Sequence, residues 1–333
     1  MKNGCIIGCG AIAPNHAAPL HERGSLYGIC DIDNERLNNF KYKDVKKYNS
    51  FDDVLSDKNI DVIHICTPHF LHYEMIKKAV SAGKAVVSEK PVTRTYSEFR
   101  EIIKYAESDA KICVMLQNRT NPCIKRLYEI AKSGEFGKIT GGAAYLAWSR
   151  TSEYYRHDSW RGKYATEGGG LLINQAIHLI DLCGYIFGGI KSVYGSTSAK
   201  TLGDVIEVED TADAIFTANN GVRICFYATN SHSVGSPMQL EVQFENARVR
   251  WIDGRLFKIS DAGYELLESD FSPKIGKSYW GCGHESVINS FYGFLETGKG
   301  SYINLADSKN AMETLFTFYE SAKQNCEIKI GEL

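Results

Sequence analysis

Residues 168–182 read GGGLLINQAIHLIDL and set Asn174, Gln175, His178 and Asp181 among apolar neighbours. His178 has the chemistry to take or give a proton near neutral pH. The Asn174 amide can orient a hydroxyl but cannot accept its proton. Leu171, Leu172, Ile173, Ala176, Ile177, Leu179, Ile180 and Leu182 wrap most of a helical circumference, which predicts a buried helix. Asn174, His178 and Asp181 follow one another at i, i+4 and i+7, so a regular helix puts them on one line. Buried polar groups cost free energy unless they are partnered. The line therefore either meets other protein groups or faces a cavity that binds a ligand.

A second stretch with chemistry in it is CIIGCGAIAPNH, which contains Gly8-x-Gly10-x-x-Ala13. A glycine-rich turn between a strand and a helix lets the backbone approach a pyrophosphate, which then sits on the helix N-terminus. An apolar run precedes the turn, and Asp31 follows 23 residues after Gly8, where a second strand should end. A carboxylate there can accept hydrogen bonds from the adenosine ribose hydroxyls and repels a 2′-phosphate. Arg36 is the first basic residue after it, so NAD is expected rather than NADP. Asp33 is the better N-cap for the helix that follows, which leaves Asp31 to the ribose.

Thr67-Pro68 in ICTPHFLH and Glu89-Lys90-Pro91 in AVVSEKPVT stand where further parallel strands should end. Ligands of open α/β sheets bind outside the carboxyl ends of the strands, although a surface salt bridge alone would account for the acid and the amine.

These side chains need elements to position them. In the first third, the apolar runs GCIIG, LYGIC, DVIHIC, AVVSE and ICVML alternate with helix-compatible stretches, the pattern of βαβ units with a parallel sheet covered on both faces. From about Tyr145 the texture changes. KSVYGSTSA, DTADAIFTA, GVRICFYATN, MQLEVQFEN and ARVRWIDG alternate in period two and are separated by turns, which predicts antiparallel strands. Helix-like stretches at residues 285–296 and 305–323 complete the second domain. The expected organisation is an α/β chain with an NAD-binding Rossmann domain over residues 1–119 and an α+β domain with a large, mostly antiparallel open sheet over residues 120–333.

Composition narrows the function classes. A chain of 333 residues can bury two cores, and a net charge of −2 offers no footprint for nucleic acid. No apolar run is long enough to span a bilayer, and the N-terminus lacks the features of a signal peptide. The ten cysteines lie scattered without a C-x-x-C pair, so free thiols in a reducing cytoplasm are expected. GCGHESV at residues 281–287 lacks the clustered cysteines of a zinc dehydrogenase, and no metal is expected.

Taken in order, Gly8-x-Gly10-x-x-Ala13, Asp31, Thr67-Pro68 with His72, Glu89-Lys90-Pro91, NRTNPCIKRLYEIAKSGEFGKI and WRGKYATEGGGLLINQAIHLIDL resemble the glucose–fructose oxidoreductase / inositol dehydrogenase (Gfo/Idh/MocA) family. The resemblance covers nearly the whole chain. It implies hydride transfer between a nicotinamide cofactor and a secondary alcohol of a sugar or cyclitol, and a homodimer or homotetramer assembled through the C-terminal sheet. It implies that Ala11, Ile12, Thr67, Pro68, His72, Glu89, Lys90, Gln117, Trp160 and Arg161 join Gly8, Gly10 and Asp31 around the cofactor.

The resemblance also implies a catalytic set of the motif lysine, an Asp on the buried helix and a His four residues later. Lys90 and His178 match, whereas Asn174 occupies the Asp position. Gly168, Gly169 and Gly170 are then expected to leave room for the ligand, and Lys90 must lose its proton through desolvation to serve as a base. Asp181 is expected to bond backbone nearby. The loop at residues 150–164 carries Arg150, Tyr154, Tyr155, Trp160 and Arg161, which either line the substrate pocket with Gln175 or form an interdomain or subunit contact. Two other functions share these features: a glycosidase that reduces and regenerates NAD within each turnover, and a non-enzymatic sensor of NAD and sugar.

Overall fold

A computed structural model describes residues 1–157, 159–199, 201–272 and 281–333. The chain divides into two compact units, Met1–Gln117 with Pro273–Ser308, and Asn118–Ser272 with Lys309–Leu333.

In the first unit the apolar runs become β1 (Gly4–Ile7), β2 (Leu26–Cys30), β4 (Val62–Ile65), β5 (Ala85–Ser88) and β6 (Ile112–Val114), joined by a short edge strand β3 (Lys46–Tyr48). All pairings are parallel, in the order β3-β2-β1-β4-β5-β6. The strand order reverses beside β1, and that switch point opens the crevice in which such sheets bind ligands. The edge strand escaped the sequence reading because Lys46 and Lys47 point to solvent and only Tyr48 is buried.

The crossovers are α1 (Ala13–Glu22), α2 (Asn34–Asn39), α3 (Phe51–Ser56), α4 (His69–Ser81) and α5 (Tyr96–Ile102). Their starts are written locally. Ser50 caps α3, and Thr95 with Glu98 forms a capping box on α5.

The second unit opens with α6 (Pro122–Ser133), β7 (Ile139–Ala147) and α7 (Ser152–His157). A π-helical turn over Leu172–Ala176 leads into α8 (Ile177–Phe187). Then come β8 (Ile190–Ser198), β9 (Thr211–Ala218), β10 (Arg223–Thr229), β11 (Gln239–Phe244), β12 (Arg248–Ile252), β13 (Arg255–Ser260) and β14 (Gly263–Ser269). Helix α9 (His284–Thr297) follows, and α10 (Lys309–Gln324) and β15 (Ile328–Lys329) close the chain.

The described strands of this unit form a nine-stranded sheet in the order β14-β13-β12-β11-β7-β10-β9-β8-β15. Neighbours are antiparallel except β7 and β10, which run parallel. Strands β9 and β11 bury every second residue, so one face of the sheet is covered. Helix α8 packs on β7 and β8, and α10 packs on β8.

Helix α9 was expected to complete the second domain. It belongs instead to the first unit, where Val287, Ile288, Phe291 and Tyr292 enter one core with Ile6, Ala17 and Leu20. Helical periodicity reports that a helix has an apolar face, not which sheet it covers. All ten cysteines are free. Among the described residues no helix is long and apolar enough to cross a membrane.

Candidate active site

In the first unit, β1 runs straight into the glycine turn. Gly8 has φ +92°, and a Cβ there would lie 2.8 Å from the Cys66 carbonyl oxygen, so this position requires glycine. Gly10 faces open space, with nothing within 4 Å of where its Cβ would be. Ala11 is exposed, and Ile12 is the capping residue before α1. No acidic side chain occupies the first turn of α1, so the partial positive charge of the helix end is left for an anion.

Asp31 closes the turn from β2. Its Oδ2 accepts the Cys9 N–H at 2.7 Å and its Oδ1 accepts the Asp33 N–H at 2.9 Å. Asp33 caps α2 by accepting from the Glu35 N–H at 2.8 Å. Asp33 is thus the cap of α2, as expected, and Asp31 shapes the loop through two backbone N–H groups. Arg36 stands 3.9 Å from Asp31 and 3.5 Å from Asp33. Cys9, Asp33, Arg36, Phe40, Lys41 and Tyr42 help line a cleft of about 590 Å³ alongside the turn, a volume in the range of ligand sites. Open space at Gly10, an uncompensated helix end and a carboxylate beside a cleft together fit a dinucleotide.

The exits of β4 and β5 are braced to each other. His72 is 1% exposed, and its Nδ1 and Nε2 lie 2.6 Å from the Pro91 and 2.8 Å from the Thr67 carbonyl oxygens. Both nitrogens of His72 are turned to backbone, and it ties the two loops together. Thr67 and Pro68 are half-buried, and Pro68 precedes α4. Lys90 is half-buried, and the Lys90–Pro91 peptide is cis. Gln117, after β6, is buried.

Glu89 does not make the surface salt bridge that its sequence position suggests. It is buried, with Oε1 2.9 Å from His16 Nε2 and 3.9 Å from His284 Nε2. Behind it runs a polar chain: His16 Nδ1 to His64 Nδ1 at 3.0 Å, then His64 Nε2 to the Tyr292 hydroxyl at 3.0 Å. Burial works to raise the Glu89 carboxyl, but the hydrogen bond from His16 and the fields of His16, His284 and Lys90 bring it down to about 2. Burial pushes His64 well down and takes His284 to about 4.

In the second unit the triple glycine serves the chain's own packing. Gly168 has φ +91°. A Cβ on Gly169 would overlap the Tyr319 hydroxyl, and one on Gly170 would overlap the Glu209 carbonyl oxygen. The expectation that these glycines make room for a ligand is therefore replaced by a close backbone approach. The buried Glu209 carboxylate accepts the N–H groups of Gly170 at 2.9 Å and Leu172 at 2.8 Å, and the Tyr319 hydroxyl at 2.9 Å.

The helix that follows begins as a π turn, a distortion that often marks functional positions. Asn174 is 9% exposed and donates from Nδ2 to Glu167 Oε1 at 2.5 Å. Glu167 is 1% exposed, and its Oε2 accepts the Gly162 N–H at 2.5 Å. Burial lifts the Glu167 carboxyl to about 7 against these two hydrogen bonds and the Arg161 charge.

Gln175 donates to the Tyr154 hydroxyl at 3.2 Å and accepts from Asn230 Nδ2 at 3.1 Å, and Asn230 also donates to the Tyr155 hydroxyl at 3.1 Å. Arg161 donates to the Tyr154 hydroxyl and lies over the Tyr154 and Trp160 rings at 4.5 and 4.8 Å. Arg150 covers Trp148 and Tyr154, each at 5.0 Å. The structure thus gathers Arg150, Tyr154, Tyr155, Trp160, Arg161, Asn174 and Gln175 into one network.

Two of them are held by the protein's own contacts. Tyr155 is 4% exposed and packs with Leu202, Ile206 and Val208. Gln175 has both ends of its amide engaged by protein. His178 is half-buried near the start of α8. Asp181 is expected to bond backbone nearby; the structure shows it accepting from Arg119, from Nε at 2.9 Å and from Nη2 at 2.5 Å. Asp158 of the 150–164 loop lies outside the described residues.

Sequence reasoning missed His16, His64, Glu167, Glu209, Asn230 and Tyr292. Glu167 carried a usable signal, as the acid directly before the triple glycine. His16 carried one too, set in the apolar half of HAAPL.

Comparison with known proteins completes the picture. The model of an oxidoreductase family with an NAD-binding Rossmann fold matches residues 2–117, and that of the GFO/IDH/MocA C-terminal domain matches residues 124–250. An uncharacterised oxidoreductase of Schizosaccharomyces pombe is 32% identical over 170 residues, covering 51% of this chain and 45% of the yeast protein, so the match spans less than half of that relative. D-apiose dehydrogenase of Paraburkholderia graminis is 25% identical over 239 residues, covering 68% of this chain and 60% of that enzyme. The crystal structure of the WlbA dehydrogenase from Bordetella pertussis, in complex with NADH and UDP-GlcNAcA, is 25% identical, covers 98% of both chains and superposes with a TM-score of 0.84.

Proposed function

This chain belongs to the Gfo/Idh/MocA family of oxidoreductases, and from that premise we propose that it transfers a hydride between NAD(H) and a secondary alcohol or ketone of a sugar, cyclitol or sugar derivative. The observation that carries the reading is the glycine turn at the switch point of the parallel sheet, open at Gly10 and closed by Asp31. The sugar class is supported by a relative named for D-apiose and by the UDP-GlcNAcA in the WlbA complex. Asp31, which repels a 2′-phosphate, favours NAD over NADP.

When bound, the nicotinamide supplies the hydride acceptor for oxidation. The chain's own part is to position the alcohol and to manage its proton. Lys90, on the loop braced by His72, takes the hydroxyl proton as the carbinol C–H bond breaks, and His178 assists. Asn174 holds the hydroxyl without taking its proton. Large apolar side chains exposed on the nine-stranded sheet, Tyr194 on β8 and Tyr264 and Leu266 on β14, support a homodimer or homotetramer through that sheet. The ten free cysteines accord with a cytoplasmic setting.

The test is NADH formation by the purified protein, followed by absorbance, against a panel of sugars, cyclitols and sugar acids with NAD and with NADP. At least one member is expected to turn over with NAD, and Lys90→Ala is expected to lower that turnover about a hundredfold or more. A complete panel without turnover, or a Lys90→Ala protein of normal rate, removes the assignment.

A further inference from the structure

Glu167 and Asn174 stand on either side of the triple glycine and meet in space. The bearing of their contact on catalysis rests on the substrate-orienting role proposed for Asn174. The two oxygens of Glu167 are not equivalent. Oε2 takes the Gly162 N–H, and Oε1 meets the Asn174 amide, each at 2.5 Å. An ionised carboxylate only accepts, so it draws Nδ2 of Asn174 toward itself and turns the amide oxygen away. A protonated carboxyl carries one O–H. The Gly162 N–H needs Oε2 as an acceptor, which places the proton on Oε1 and favours the reversed amide, with Oδ1 accepting from Glu167.

We propose that Glu167 is a positioning residue whose proton sets the orientation of the Asn174 amide. Ionised, it turns the acceptor oxygen of Asn174 toward the substrate, which suits a hydroxyl about to be oxidised. Protonated, it turns the NH2 outward, which suits a carbonyl about to be reduced.

Both states are within reach at physiological pH, because burial lifts the carboxyl to about 7. The groups around it are Arg161, which opposes that rise, Glu209, which adds to it, and the hydroxyls of Tyr154, Tyr155 and Tyr319.

The experiment tracks the side-chain NH2 signals of Asn174 by NMR in the full-length protein without substrate, assigned by their loss in Asn174→Ala. The signals are expected to move with a midpoint near pH 7, as the value of about 7 for Glu167 requires, and to stay flat in Glu167→Gln. Should the Gln variant not fold, Glu167→Met keeps the volume without a titrating group and is expected to give the same flat profile. Asn174 signals that do not titrate in the native protein, or that titrate equally without the carboxyl, overturn the proposal. This readout needs no turnover, so a failed substrate screen and a failed amide titration are separate results. Where a substrate is found, the limb of kcat/KM for reduction that falls as pH rises through neutrality should vanish in Glu167→Gln, and a limb that persists overturns the link to catalysis.

Discussion

Each unit buries a glutamate close to a glycine-rich segment, and the two glutamates end at opposite ends of the carboxyl range. Glu89 is 6% exposed and held at about 2; Glu167 is 1% exposed and lifted to about 7. Burial raises both. What differs is the partner. Glu89 faces an imidazole that donates to it, with His284 and Lys90 adding their fields. Glu167 accepts from an amide and a backbone N–H, both neutral, and the Arg161 charge that lowers it is set against Glu209, which raises it. Desolvation alone therefore does not decide the protonation of a buried carboxyl; the balance of hydrogen bonds and charges around it does.

The sharpest way to break this contrast is to remove His16. His16→Ala leaves Glu89 without its donor in a site closed to water, and should cost about 3–5 kcal/mol of stability at neutral pH. The folded value of Glu89 lies below the ordinary carboxylate value, so its stabilising contribution is present above that value and is lost as pH falls toward about 2. The penalty of His16→Ala should accordingly shrink in acid. Urea unfolding at neutral and acidic pH measures it, and an equal penalty at both would show that His16 acts through packing.

Glu167→Gln should behave in the opposite sense. Its folded value lies above the ordinary one, so the stability it contributes is complete below pH 4.5 and lost as pH rises through about 7. Relative to the Gln variant, the native protein should lose roughly 2–3 kcal/mol between mildly acidic and mildly alkaline pH, at about 1.4 kcal/mol per unit. Denaturant midpoints of the two proteins that run parallel across this range would place Glu167 with ordinary carboxylates.

The smallest effects should come from the glycines, and they too should differ between the units. Gly170→Ala forces a Cβ onto the Glu209 backbone and should cost about 1–3 kcal/mol. Gly10→Ala meets no protein atom within 4 Å, so stability should stay within about 0.5 kcal/mol, while NAD affinity measured by calorimetry falls. Equal losses of stability at both positions would mean that the two glycine segments do the same job.

The parallel strands of the first unit were readable because their burial on both faces leaves continuous apolar runs. The glycine turn and Asp31 were readable because a local backbone need and a fixed spacing identify them. The polar line on the buried helix was legible as a line, but not its fate. A π turn begins the helix, and Asp181 goes to Arg119, 62 residues away in the chain. Tyr155 read as a residue of a pocket or of a contact surface and packs into a small core, because an aromatic side chain has the same spelling in each place.

Amino-acid order by itself determined the alternation of strand and helix, the positions where glycine is unavoidable, and the acid that closes the first turn, since each depends on a few neighbouring residues. Tertiary structure alone decided which sheet α9 covers, which glutamate is held low and which is lifted. Glu89 meets His16 across 73 residues, and His64 meets Tyr292 across 228. An ionisation set by such distant partners depends on the electric field of the folded chain, and that field has no local pattern to read.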